Sequence, residues 1–233
     1  KIEIYTENLK EEVLLNFQNN KKQLFSIVKN FKFYQLLDKN LSNVKKYKKK
    51  NITKYNLSLL DKYDITINCD YSSSLTKKYF TKKIKKNYNS FAYTTIISHQ
   101  KIKNNTAFQN FTKNGPIAFL PLSDTETSIV YSLRSNKKKN ILEMNDLVKK
   151  YNPIYSIKAF KNWNNFKLKS SSLRNYYKDN ILAFGDLLHK LHPLAGQGFN
   201  MSLRDIKKLL ELIKSKKENG LDLDSSICSS FEK

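Results

Sequence analysis

The feature that most constrains this chain is the block from Gly185 to Asp205, which reads GDLLHKLHPLAGQGFNMSLRD. A short apolar run, NILAF from Asn180 to Phe184, precedes the block and is typical of a buried strand. Gly196 and Gly198 stand immediately before a segment with helical periodicity. Glycine lets backbone N–H groups approach a ligand closely, and a helix N-terminus favours negative charge. The block therefore predicts a nucleotide-cofactor site.

The segment after Gly198 has the clearest helical pattern in the chain. Its apolar residues recur at helical spacing and are Leu203, Ile206, Leu209, Leu210 and Ile213. Lysine and glutamate occupy the opposite face, and Gly220 is expected to end the helix. The stripe predicts a helix whose apolar side packs on the core.

The block resembles the second flavin-contacting motif of the FAD-dependent aromatic hydroxylases related to para-hydroxybenzoate hydroxylase. It is most similar to the ubiquinone-biosynthesis branch of that family, whose consensus runs roughly GDAAHxxHPLAGQGxNxGxxD. The matching positions are Gly185, Asp186, His189, His192, Pro193, Leu194, Ala195, Gly196, Gln197, Gly198, Asn200 and Asp205. The departures are Leu187 and Leu188, where alanine is usual, and Ser202, where glycine is common.

Other segments resemble the same family in the same order along the chain. They are LFSIVKN at 24–30, GPIAFLPL at 115–122, SIVYSL at 128–133 and GLDLDSSICSSF at 220–231. The resemblance implies a mixed α/β fold class (α+β), in which the C-terminal part of a Rossmann-like FAD-binding domain accompanies an antiparallel β-sheet substrate domain. Residues 1–28 and 78–168 are expected to form the substrate-domain sheet, and residues 29–77 and 169–233 the remainder of the FAD-binding domain.

One departure from the family concerns the GxGxxG fingerprint that binds the ADP half of FAD. The chain has 5 glycines, and the first of them is Gly115. It also begins with Lys1 and matches the middle of the family pattern from there. The expectation is that the N-terminal ADP-binding unit is missing from the chain, which alone would not hold FAD tightly.

A second departure concerns the middle flavin motif, GADGxxSxxR in the family. The corresponding residues run from Asn68 to Ser74, followed by Lys77. Asp70 is retained and is predicted to contact the cofactor. Asn68 and Tyr71 replace the two glycines, and the Tyr71 side chain is expected to obstruct the flavin at this element.

The resemblance implies a flavin-dependent aromatic-ring monooxygenase that uses FAD, with NAD(P)H and O₂ as co-substrates and a polyprenylated phenol as substrate. Asp186, after Gly185, is expected to bind a ribityl hydroxyl, and Pro193 to pack near the isoalloxazine ring. The remaining predicted cofactor-binding residues follow Pro193 and are Leu194, Ala195, Gly196, Gln197, Gly198 and Asn200. Catalytic residues are not identified.

The histidine pair in the block has two readings. His189 and His192 have the spacing of two metal ligands, but no third ligand cluster is visible in the sequence. No metal site is predicted, and the favoured role is structural, shaping the loop beneath the flavin.

Cys69 and Cys228 are too few for a disulfide framework, which favours a reducing, cytoplasmic setting. Peripheral association with a membrane or a ubiquinone-biosynthesis complex is a further expectation.

The formal net charge of +23 raises a nucleic-acid-binding alternative. Nearly all the cations are lysine, since the arginines are Arg134, Arg174 and Arg204. Nucleic-acid recognition recruits arginine, so drift in composition is favoured and no nucleic-acid partner is predicted. A non-catalytic remnant or binding module of the same fold, holding no FAD, remains the other alternative.

Alternation and helical periodicity also predict the remaining elements. Strands are predicted at 2–5, 13–17, 52–60, 63–68, 91–99, 106–112, 117–122 and 128–134. Helices are predicted at 31–41 and 145–151. The run of four strands from 91 to 134 predicts an antiparallel sheet with one face covered.

Overall fold

A computed structural model describes residues 1–7, 12–19, 22–50, 60, 62–135, 137–191 and 197–233. Its strands, in chain order, are β1 (Ile2–Thr6), β2 (Val13–Phe17), β3 (Thr66–Asn68), β4 (Lys83–His99), β5 (Ala107–Thr112), β6 (Gly115–Ser123), β7 (Glu126–Arg134), β8 (Ile157–Phe160), β9 (Asn164–Leu173), β10 (Tyr177–Lys178), β11 (Ile181–Ala183) and β12 (His189–Lys190). Its helices are α1 (Asn30–Ser42), α2 (Ser74–Tyr79), α3 (Ile141–Lys150), α4 (Gln197–Glu218) and α5 (Ser226–Glu232). These elements confirm the predicted mixed α/β fold class.

The chain forms two compact units. The first comprises residues 1–49 and 89–167, and the second comprises residues 50–88 and 168–233. The predicted domain boundaries differ from these at 29–49, at 78–88 and at residue 168. One reason lies at the start of α1, where Lys29 forms an ion pair with Glu126 of the first unit. Which unit binds cofactor and which binds substrate stays a prediction.

The first unit contains a sheet in the order β4-β7-β6-β5-β1-β2, with β8 on the other side of β4. All its pairings are antiparallel except the parallel pairing of β1 with β5. Alternate residues such as Ile117, Phe119 and Ile129 are buried. Met144 and Val148 of α3 join the same apolar cluster, so this helix covers one face of the sheet. The predicted antiparallel run is confirmed.

Helix α3 begins earlier than the sequence pattern predicted. Asn140 caps it by accepting a hydrogen bond from the Glu143 amide, and the Glu143 carboxylate accepts one from the Asn140 amide. This reciprocal capping box satisfies N–H groups that otherwise lack partners in the first turn. The signal Asn-x-x-Glu was therefore present in the sequence ahead of the predicted start.

The second unit contains a small sheet in the order β10-β11-β3. Strands β3 and β11 are parallel, with Asn68 opposite Ala183, and β12 pairs with β9. One apolar cluster holds Leu187 and Leu188, and another joins Leu209 of α4 to Ile227 of α5. The predicted strand at 52–60 lies almost wholly outside the described residues.

The apolar stripe of α4 packs differently from the prediction. Leu209 is buried, but Leu203 (45%), Ile206 (44%) and Leu210 (59%) are exposed. The helix contacts the core through Leu209 with Leu212 and Ile213, because these side chains face the cluster around α5. The prediction that the whole stripe is core packing is therefore wrong for Leu203, Ile206 and Leu210. No helix among the described residues is long and apolar enough to cross a bilayer.

Candidate cofactor-binding site

Two of the predicted cofactor segments meet at one edge of the small sheet in the second unit. Strands β3 and β11 are parallel neighbours, so their carboxyl ends lie side by side. The Phe184 amide donates a hydrogen bond to the Asn68 carbonyl at 3.0 Å, which fixes the two exits together. The loop carrying Asp70 leaves β3 here, and the turn carrying Gly185 and Asp186 leaves β11. Ligands of open α/β sheets bind outside the carboxyl ends of strands.

The turn after β11 exposes a carboxylate on a firmly held backbone. Gly185 has a φ of +63°, a conformation that favours glycine, and a Cβ built there meets no atom within 4 Å. Asp186 is exposed, and the structure gives its carboxylate no hydrogen bond or ion pair with a described residue. Leu187 and Leu188 are buried in the apolar cluster directly beneath it. The turn therefore leaves an acceptor available to a ligand hydroxyl.

The carboxylate of Asp70 is occupied by its own loop. It accepts hydrogen bonds from the hydroxyl and from the amide of Ser72, each at 2.7 Å. These two bonds hold the pKa of the Asp70 carboxyl below its usual value, and the bond from the hydroxyl has the larger effect. The structure thus shows a local turn at Asp70, and the predicted contact with the cofactor stays a prediction.

Asn68, which stands where the family has glycine, organises the loop with a buried side chain. Its Nδ2 donates to the Thr76 hydroxyl at 2.9 Å, and its Oδ1 accepts from the Asp70 amide at 3.2 Å. The Thr76 hydroxyl in turn donates to the Asp70 carbonyl at 2.5 Å. Ser73 caps α2 by accepting from the Thr76 amide at 3.1 Å. The side-chain amide of Asn68 therefore fixes the conformation of this loop, a role that the sequence pattern did not predict.

Tyr71, which replaces the second glycine, joins the two segments of the site. Its hydroxyl donates a hydrogen bond to the backbone carbonyl of Asp186. Its ring is 42% exposed, and the Lys83 ammonium lies 4.4 Å from the ring centroid. Among the described residues, positive φ at a non-glycine occurs only at Asn89 and Asp179, so neither Asn68 nor Tyr71 needs glycine's conformational freedom.

The start of α4 corrects the predicted position of Gly198. The helix begins at Gln197, so Gly198 lies inside its first turn and not before it. Gln197 and Asn200 are exposed, and a Cβ at Gly198 meets no atom within 4 Å. The predicted residues Pro193, Leu194, Ala195 and Gly196 lie outside the described residues.

The helix start has the electrostatics of an anion-binding position. No acidic residue occupies the first turn of α4. The N–H groups at the start of the helix and the positive end of the helix dipole therefore have no carboxylate of that turn beside them. Helix α4 also contacts the turn at Gly185–Leu187, so the helix lies beside the turn that carries the Asp186 carboxylate.

His189, which was expected to shape the loop, contacts a side chain of α4. Its Nε2 lies 2.9 Å from Oδ2 of Asp205 on α4. His192 lies outside the described residues, and no group of three metal-ligating side chains occurs in the described part of the chain.

Desolvation raises the pKa of the Cys69 thiol, the opposite of what activates a nucleophilic cysteine.

Comparison with known protein families gives a match over residues 79–230 to the family described as FAD binding domain. The match covers more than half of the chain and includes β11, the Gly185–Asp186 turn and α4. The chain belongs to the FAD binding domain family. The predicted flavoprotein family is thereby confirmed, and the ubiquinone-biosynthesis branch stays a prediction.

Curated relatives of this FAD binding domain include two ubiquinone enzymes. The chain is 39% identical over 64 residues to "Ubiquinone biosynthesis monooxygenase COQ6, mitochondrial" of Danio rerio, covering 27% of this chain and 13% of the relative. It is 25% identical over 142 residues to "Ubiquinone hydroxylase UbiL" of Rhodospirillum rubrum, covering 58% of this chain and 33% of the relative. The chain therefore spans about a third or less of these relatives.

Solved structures share the fold of this FAD binding domain. PqsL of Pseudomonas aeruginosa, described as a probable FAD-dependent monooxygenase, matches with a TM-score of 0.68 and 12% identity, covering 99% of this chain and 72% of PqsL. The flavin-dependent halogenase CmlS matches with a TM-score of 0.55 and 13% identity, covering 72% of this chain and 33% of CmlS. At such identities the likeness shows the fold alone.

The residues at the site fit FAD on two observations. The Gly185 and Gly198 positions are open where a Cβ would stand, so a ligand can reach the backbone at both. The Asp186 carboxylate and the first-turn N–H groups of α4 offer an acceptor and donors, which suits a cofactor with ribityl hydroxyls and a polar ring edge. Asp70 fits less well, because Ser72 already occupies its carboxylate.

Proposed function

We propose that the protein is an FAD-dependent monooxygenase that hydroxylates an aromatic ring. The observation that carries this proposal is the Asp186 carboxylate at the carboxyl edge of the β3–β11 pair, in a turn that α4 contacts. Membership of the FAD binding domain family supports FAD as the group that occupies this edge.

Each residue then has a specific task toward the cofactor. FAD, when bound, supplies the chemistry that activates O₂ and delivers one of its oxygen atoms to the ring. The Asp186 carboxylate accepts hydrogen bonds from ribityl hydroxyls, and Gly185 allows the turn that presents it. The N–H groups of Gln197 and Gly198 donate to the pyrimidine edge of the flavin, where the helix dipole stabilises negative charge.

The proposed reaction consumes NAD(P)H, O₂ and a phenol. A hydride and a proton provide the reducing equivalents, one oxygen atom enters the ring as a hydroxyl, and the other leaves as water. A polyprenylated phenol of ubiquinone biosynthesis is the proposed substrate, supported by the similarity to COQ6 and UbiL. Such a substrate dissolves in membranes, so we propose a cytoplasmic protein with peripheral membrane association.

The second candidate is a non-catalytic member of the fold that binds no FAD. Two observations favour it: the engaged carboxylate of Asp70, and the bulk of Tyr71 at a position where the family has glycine. The nucleic-acid alternative is supported only by the net charge of +23.

Product analysis under ¹⁸O₂ separates these candidates. The full-length protein is purified, supplied with FAD and NADH or NADPH, and incubated with a polyprenylated phenol. Mass spectrometry is expected to show one ¹⁸O atom in the ring product, and Asp186→Ala is expected to reduce its yield, whereas Asp222→Ala is not. Oxidation of NAD(P)H without a labelled product would exclude aromatic hydroxylation. Failure to bind FAD at all would favour the non-catalytic candidate.

A further inference from the structure

His189 and Asp205 form a close and secluded pair. The His189 Nε2 and Asp205 Oδ2 atoms are 2.9 Å apart, and the two side chains are only 10% and 19% exposed. Both atoms are withdrawn from solvent, and neither makes a hydrogen bond of regular geometry with a described residue, the other member of the pair included. Their proximity is therefore the compensation that each atom has, among the described residues, for its lost hydration.

The pair connects two anchored elements of the second unit. His189 belongs to β12, where it pairs with Ser172 of β9. Asp205 belongs to α4, which is fixed further along by the buried Leu209. The chain between His189 and Asp205 includes Gln197 and Gly198. The two ends of this stretch, which supplies the first-turn N–H groups of α4, are therefore held together by the contact.

We propose that His189 and Asp205 are positioning residues that set FAD affinity by fixing α4 in position beside the Gly185–Asp186 turn. This inference rests on the proposed function. Donors of a binding site must be held within about 0.5 Å of their productive positions by supporting contacts. The His189–Asp205 contact is the side-chain link between β12, which directly follows that turn, and the helix that supplies the donors.

The same helix provides a matched control. Lys214 and Glu218 form an ion pair at 3.6 Å, with side chains 75% and 64% exposed. This pair joins two residues of α4 to each other and no other element. Removing it changes an ion pair on the helix without releasing the segment between His189 and Asp205.

The test measures FAD dissociation constants, by flavin fluorescence, for the full-length protein and its variants. His189→Ala and Asp205→Ala are each expected to weaken FAD binding about tenfold, as loss of supporting contacts does at other sites. The double variant is expected to bind FAD as tightly as whichever single variant binds it more weakly, because the two side chains act through one contact. His189→Gln, which retains a donor, is expected to recover most of the affinity, and Lys214→Ala with Glu218→Ala is expected to leave it unchanged.

Amide hydrogen exchange in the absence of FAD provides a second readout. Faster exchange at residues 201–205, the first amides with an acceptor inside the helix, is expected in His189→Ala, with the rest of α4 unchanged. If the single variants melt earlier but bind FAD as tightly as the parent protein, the pair is merely structural and the inference is overturned. Additive losses in the double variant would also overturn it. If the parent protein binds no FAD, the proposed function fails, and hydrogen exchange alone decides whether the pair holds the segment.

Discussion

The hydroxyl of Tyr71 donates a hydrogen bond to the backbone carbonyl of Asp186, so the loop after β3 is tied to the turn after β11. The resemblance to aromatic hydroxylases led us to expect an obstruction at Tyr71. The structure shows a link between the two segments of the candidate site. The bulky side chain therefore has a specific partner in the very turn that presents the Asp186 carboxylate.

Tyr71→Phe removes only the hydroxyl that makes this link. We expect the free energy of unfolding to fall by about 0.5–1.5 kcal/mol, the net worth of a typical hydrogen bond. Tyr63→Phe is the control, because Tyr63 is exposed in the same unit. Urea unfolding followed by circular dichroism measures both variants. Equal midpoints for the two would show that the Tyr71 hydroxyl contributes nothing.

Asn68→Ala is expected to destabilise the loop that carries Asp70. The buried amide contacts the Thr76 hydroxyl and the Asp70 N–H group, and both lose a partner in the variant. Loss of each bond is expected to lower the free energy of unfolding by about 0.5–1.5 kcal/mol, the net worth of a typical hydrogen bond. Asn164→Ala, at an exposed position in β9, serves as control in the same denaturation experiment. A free energy of unfolding equal to that of the control variant would show that Asn68 does not stabilise the loop.

Asp186→Ala is expected to weaken FAD binding with little loss of stability. In a site desolvated by the cofactor, a hydrogen bond to a carboxylate contributes about 1.5–3 kcal/mol. That corresponds to an increase in the FAD dissociation constant of roughly ten- to 150-fold. Titration of the full-length protein with FAD measures the change, beside Asp222→Ala as a matched exposed carboxylate. An unchanged dissociation constant for Asp186→Ala would count against the assignment of this turn.

Elements with a strong local signal were predictable from the sequence. The periodicity of α4 and the alternation in β5, β6 and β7 identified them nearly to their bounds. Strand β9 was missed because NNFKLKSSSL is mostly polar, and its pairing with β12 depends on residues distant in sequence.

The candidate site was predictable only in part. Gly185 and Asp186 follow β11 as the motif implies, and the resemblance pointed to both segments that meet at this edge. The buried network of Asn68 and the contact between His189 and Asp205 arise from tertiary packing, so the sequence pattern gave no geometry for them. The exposed Leu203 and Ile206 show the same limit, because periodicity identifies an apolar face but not which part of it is covered.

Gly198→Ala separates a cofactor-binding backbone from an ordinary helix start. A Cβ at this position meets no atom within 4 Å, so the protein alone imposes no steric cost. Replacing glycine by alanine in a helix stabilises it by up to about 1 kcal/mol. Ser215→Ala, at an exposed position further along α4, is the control for increased helix propensity without a change near the cofactor.

Equilibrium titration of the full-length Gly198→Ala protein with FAD, beside its thermal melt without FAD, tests the central assignment most directly. If the backbone of the first α4 turn lies against the flavin, the methyl group occupies space that the cofactor needs. We predict an FAD dissociation constant at least tenfold above that of the parent and of Ser215→Ala, with a melting temperature equal to or above that of the parent. A variant that melts later and binds FAD as tightly as the parent would contradict the assignment of this helix start to the flavin.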